Sequence, residues 1–120
     1  MGSIGNSQEN FDKGWDCFTS GDYMSAIAYF GKVIDEDPNH VRAYNNRAAA
    51  NVKIGNYDQG ITDFELSLSI DPNNEFARTN RDMLLKADRV ESNFDKGVSC
   101  MDSGNYQLAI AYFDEVVKDD

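Results

Sequence analysis

The chain has 120 residues, and 21 acidic against 11 basic side chains leave it a net charge of −10. That length allows one small domain, and that charge argues against nucleic acid or an anionic membrane as partner, because phosphate binding needs clustered Lys and Arg. No apolar run is long enough to cross a bilayer and no signal peptide is read, so membrane insertion is not expected and a cytoplasmic setting is.

In chain order, residues 1–6 are expected to be a disordered segment or, from Met1-Gly2-Ser3, a cloning remnant. Helices are expected over about 7–20 and 23–36, then over about 41–54 and 57–70. Gly21 and Gly55 stop the first helix of each pair. Pro38 and Pro72 end the second, because the residue before Pro avoids the helical region. Ala26, Ile27, Phe30, Val33 and Ile34 have the spacing of an amphipathic helix. Gly14 and Gly97 fall inside helices, each at a cost of about 1 kcal/mol, which close approach of a neighbouring helix is enough to explain.

Two readings fit the segment that follows. No Pro or Gly occurs from Asn74 to Lys96, and Ala77, Leu84, Leu85, Lys86 and Ala87 are good helix formers, which predicts one long helix from about Asn74 to Ser103. The alternative is a short capping helix, a break near 87–93, and a new helix.

These elements repeat. Gly55-Asn56-Tyr57 returns 34 residues earlier as Gly21-Asp22-Tyr23, Phe64 as Phe30, and Asp71-Pro72-Asn73 as Asp37-Pro38-Asn39. A longer repeat lies on top: NFDKG occurs at 10–14 and 93–97, and AIAYF at 26–30 and 109–113. The order is therefore repeat 7–40, repeat 41–74, a connecting helix over 75–89, and a third repeat over 90–120. The third copy reaches position 120 just before its Pro is due, as expected either of a truncated array or of a natural end.

Period and landmarks resemble the tetratricopeptide repeat. Gly14 and Ala48 supply one of its small residues, Ala26 and Gly60 another, and Phe30 and Phe64 its aromatic. Tyr44 fits the family's large apolar position in the first helix; Asn10 does not, and Phe11 takes over one residue later. The resemblance implies an all-α solenoid of antiparallel helix pairs, with an irregular, long helix joining repeats two and three. It also implies a concave groove that binds a peptide or helix of another protein without catalysis.

Carried onto this chain, the groove positions include Phe11, Trp15, Phe18, Arg42, Asn45, Asn46, Ala49, Lys53, Phe76 and Met83. Phe11, Trp15 and Phe18 share one helix face at i, i+4, i+7. Trp15 is expected to line the groove, whereas Phe11 has two placements open to it, groove or core. Some members of the family clamp the acidic tails of heat-shock chaperones with Lys, Asn and Arg side chains. The matching positions here are Phe11, Trp15, Asn46, Phe76 and Asn80, of which Asn46 alone agrees, so that clamp is not expected.

An alternative role is self-assembly, with the third repeat exchanged between copies to form a homodimer. His40 is the sole histidine, and no metal-binding, phosphate-binding or nucleophile–base pattern occurs, so neither cofactor, metal nor enzymatic activity is expected. Cys17 and Cys100 occupy equivalent repeat positions and are expected as reduced, buried core residues.

Overall fold

The computed structural model describes residues 7–118; the expected N-terminal segment 1–6 lies outside the described residues. Among the described residues six helices follow one another: α1 (Ser7–Thr19), α2 (Tyr23–Glu36), α3 (Val41–Lys53), α4 (Tyr57–Ile70), α5 (Glu75–Asp102) and α6 (Tyr106–Lys118). Among the described residues there is no strand. The chain divides into two compact units, Met1–Arg81 and Asp82–Asp120.

The turns follow from backbone chemistry. Gly21, Gly55 and Gly104 have φ of +88°, +89° and +85°, a region a side chain disfavours, so each first helix of a pair ends there. The amide of the next residue closes the turn back onto the helix, as Asp22 does to the Cys17 carbonyl and Asn56 to that of Asn51, both at 2.8 Å. Asp37 and Asp71, held extended ahead of Pro38 and Pro72, end α2 and α4. Starts are capped too. The Asp22 carboxylate accepts from the Ser25 amide at 3.3 Å, and His40 Nδ1 accepts from the Ala43 amide at 3.1 Å.

In the first unit α1 packs on α2, α2 on α3 and α3 on α4. Its core joins Phe11, Ala26, Phe30 and Val33 to Ala43 and Ala50, the small α3 residues that let the two helices approach. Gly14 has a packing reason for lacking a side chain. A Cβ there would lie 2.7 Å from the ring of fully buried Phe30. Burying a ring of this size contributes roughly 1.5–3 kcal/mol. The start of α5 belongs to this unit, with Ala77 fully buried and Phe76 edge-on to Phe64 at 5.9 Å between ring centres.

Of the two readings of the connecting segment, the unbroken helix is the one found: α5 runs for 28 residues. No Pro or Gly occurs in it before Gly97, which faces the Phe113 ring, and the helix ends ahead of Gly104 with its positive φ. In the second unit the last part of α5 pairs with α6 as α1 pairs with α2. Phe94 and Phe113 rings lie 5.8 Å apart, and Phe113 fills the space over Gly97. Cys17 and Cys100 are free thiols, partly buried where full burial was expected.

Candidate functional site

Two first helices of successive pairs, α1 and α3, supply one face. Gln8, Phe11, Asp12 and Trp15 from α1, with Arg42 and Asn46 from α3, line a pocket of about 300 Å³. The spacing of the α1 residues, i, i+3, i+4 and i+7, puts all four on one side of the helix.

Each lining residue is held differently. Trp15 is 47% exposed and lies flat against Phe18, with ring centres 5.7 Å apart and planes 8° from parallel. Phe18 is braced in turn by Tyr23, edge-on at 5.4 Å. Stacked support fixes the indole without burying it. Phe11 is 6% exposed, packed edge-on to Phe30 and stacked on His40 at 5.2 Å. The Arg42 guanidinium covers the other part of the Phe11 ring at 4.6 Å from its centre. Gln8 donates to the Asp12 carboxylate at 2.9 Å, one turn along α1.

Of the sequence-expected groove residues, Phe11, Trp15, Arg42 and Asn46 thus surround one pocket. Phe11 also belongs to the core, so both placements open to it describe parts of the same side chain. Phe18 sits behind Trp15. Asn45 is buried and donates to the Asn74 side chain at 3.3 Å, joining α3 to the start of α5. Ala49 is partly buried, Lys53 is exposed at the end of α3, and Phe76 is half-exposed against Phe64; none of the three lines the pocket. Met83 lies in the second unit and lines another pocket there. Asp12 was not expected at the site; its place one turn after Gln8, on the same side of α1, was the available signal.

Beneath this face, Arg47 Nε and Nη2 donate to the two oxygens of Asp63 on α4 at 2.9 and 2.8 Å. Asp63 is fully buried. That hydrogen bond, reinforced by the carboxylate charge and opposed by burial, holds the Arg47 guanidinium above its ordinary pKa. Asn51 spends its side chain on the Arg47 carbonyl at 3.1 Å. The Arg47–Asp63 bonds anchor α3 to α4, and so fix Arg42 and Asn46 opposite α1.

Chemically, the pocket offers an aromatic wall, one cation, one carboxylate and two amides. Among the described residues no group of His, Cys, Asp and Glu could hold a metal ion. Nor is any helix there long and apolar enough to cross a membrane.

The chain is similar to known proteins. The chain is 36% identical over 66 residues to Hsp70-Hsp90 organizing protein 3 of Arabidopsis thaliana, a match covering 55% of this chain and 12% of that protein. It is 40% identical over 70 residues to Sperm-associated antigen 1 of Homo sapiens, covering 58% and 8%. It therefore spans a small part of the length of the curated relatives it matches. Among solved structures, the TPR2B domain of yeast Sti1 in complex with pHsp70 superposes with a TM-score of 0.67 at 23% identity, covering 95% of each chain. The Sgt2 TPR domain from Aspergillus fumigatus gives 0.67 at 19%, covering 96% of this chain and 79% of that one. These likenesses establish an all-α helical-repeat solenoid. Models of the tetratricopeptide repeat match residues 11–75 and 90–118, and the chain belongs to the tetratricopeptide repeat family.

Proposed function

We propose that this chain is a non-catalytic protein-interaction module that holds a peptide or short helix of another protein between α1 and α3. The observation that carries the reading is Trp15, a large aromatic exposed at a pocket yet held rigid by Phe18. Rigid aromatic anchors in partly enclosed sites supply most of the energy of many interfaces. An apolar ligand side chain would pack against Trp15 and the rim of Phe11, with Asn46 and Arg42 placed to hydrogen-bond a ligand main chain or carboxylate. Affinity on the order of micromolar is expected for a flexible peptide that must be ordered on binding.

Relatives include proteins named as Hsp70-Hsp90 organizers, and one structural neighbour is a complex with pHsp70. The ligand proposed here differs. Two of the expected cation positions of a tail-carboxylate clamp hold Phe11 and Phe76, so apolar contacts replace charge pairing. A cytoplasmic, reducing setting suits the two free thiols.

Selection of displayed random peptides on the immobilised chain tests the reading. Enriched peptides should centre on a bulky apolar residue and lose binding to the Trp15→Ala variant. Enrichment of acidic tails that bind the variant equally well would overturn it.

A further inference from the structure

His40 and Asn74 hold the same place in successive repeats, 34 residues apart, and each caps the helix that follows it. His40 Nδ1 accepts from the Ala43 amide at 3.1 Å, and Asn74 Oδ1 accepts from the Ala77 amide at 2.9 Å. Capping alone is therefore no reason for an imidazole, since asparagine is among the preferred caps and does the same work one repeat later.

What the imidazole adds is a ring. Each cap residue also meets the residue 29 positions before it, on the first helix of the preceding pair. Asn74 accepts there from Asn45, at 3.3 Å, through the same oxygen that caps α5. His40 instead stacks on Phe11, with ring centres 5.2 Å apart and planes 26° from parallel. The two slots are equally closed, Phe11 being 6% exposed and Asn45 7%. A third position differs along with them. Arg42 lays its guanidinium 4.6 Å from the centre of the Phe11 ring, whereas its counterpart Phe76 turns edge-on to Phe64. Phe11 is thus held by an imidazole, a guanidinium and the edge-on Phe30 ring at 5.6 Å. Phe11 and Arg42 line the pocket beside Trp15, and Asn45 and Phe76 do not.

We propose that His40 is a positioning residue for the ligand site. Its ring clamps Phe11, and through Phe11 the Arg42 guanidinium, in the arrangement that a ligand meets. That role rests on the reading of the α1–α3 pocket as a peptide site. His40 is not among the lining residues and need not touch the ligand. A wall fixed before binding spares the ligand the cost of ordering it, and the side chain packed behind that wall sets the order.

Two substitutions separate the cap from the stack. His40→Asn keeps a cap of the kind Asn74 makes and removes the ring. His40→Phe keeps a ring for Phe11 and removes the acceptor. The probe is a displayed random heptapeptide library selected on the parent chain. Its most enriched Trp15-dependent sequence is then synthesised with a fluorescein label and titrated into each variant. His40→Asn should bind it about threefold to tenfold more weakly, the worth of one aromatic pair, with the Ala43 amide still protected from hydrogen exchange. His40→Phe should restore the parent affinity although the Ala43 amide loses protection. A cap with no further role gives the reverse, full affinity in His40→Asn and weaker binding in His40→Phe, and that result overturns the proposal. So does equal weakening in both, which would report a loosened α3 rather than a released Phe11. A library that yields no Trp15-dependent sequence overturns the reading of the pocket itself, and His40's role with it.

Discussion

Arg47 and Asp63 meet through two parallel hydrogen bonds of 2.9 and 2.8 Å, from α3 to a carboxylate with no exposure to solvent. The bond ties two helices whose apolar contact is thin, since α4 buries Gly60 and Ser67 alongside Phe64. Removing one partner of such a pair leaves a buried charge unpaired, at a cost of about 3–5 kcal/mol. Arg47→Met should therefore shift the urea midpoint far down or leave the first unit unfolded at 25 °C. Because the Arg47 pKa is raised, the arginine's share of this stability is complete below the unfolded arginine's value. It is lost only in strong alkali, so raising pH across the neutral range should not weaken the pair from the arginine side.

Gly14→Ala separates helix propensity from packing. Alanine would gain about 1 kcal/mol in an exposed helix. Here its Cβ would meet the Phe30 ring at 2.7 Å, inside a core with no room to move. Overpacking of this kind costs about 1–3 kcal/mol, so the variant should be less stable than the parent in chemical denaturation.

Cores of different size should exchange their amides at different rates. The first unit buries Phe11, Phe30, Val33 and Phe64, whereas α6 buries Ala109 alone. Hydrogen exchange should find α6 amides opening far more readily than those of α2 and α3, by about 2 kcal/mol or more. Equal protection in α2 and α6 would count against an uncovered α6 face.

Arg42→Ala should weaken ligands in the α1–α3 pocket while leaving the fold intact. The side chain is exposed and its contact with Phe11 is a cation over a ring. Such contacts contribute about 0.5–1 kcal/mol at exposed sites. Loss of this contact should lower the unfolding free energy by about 0.5–1 kcal/mol, and calorimetry should show ligand bound about threefold to fivefold more weakly for want of one charge-assisted hydrogen bond.

The sequence made the helices readable because their punctuation is chemical. Gly21 and Gly55 demand a positive φ, and Pro38 and Pro72 forbid continuation, so turn positions recur wherever the backbone needs them. The absence of both residues from Asn74 to Lys96 likewise left α5 with nothing to end it. Side-chain partnerships were harder to read. Arg47 and Asp63 are 16 residues apart on different helices, and neither letter announces the other. His40 stood out in the sequence only as the sole histidine, though its ring both caps α3 and stacks on Phe11, because a cap and a stack depend on orientation that spacing does not encode. Asn45 and Asn46 are neighbours in sequence, yet helix geometry turns one into the interior toward Asn74 and the other to the pocket.

Trp15 is the sole tryptophan, so its fluorescence reports on the pocket directly. The most direct test is to titrate a selected peptide into the chain while following Trp15 emission, with calorimetry in parallel. The account predicts a saturable blue shift as the half-exposed indole is covered. Its affinity should match the calorimetric one, and Trp15→Ala should lose about 2–4 kcal/mol of binding. Calorimetric binding with unchanged emission, or with full affinity in Trp15→Ala, would contradict it.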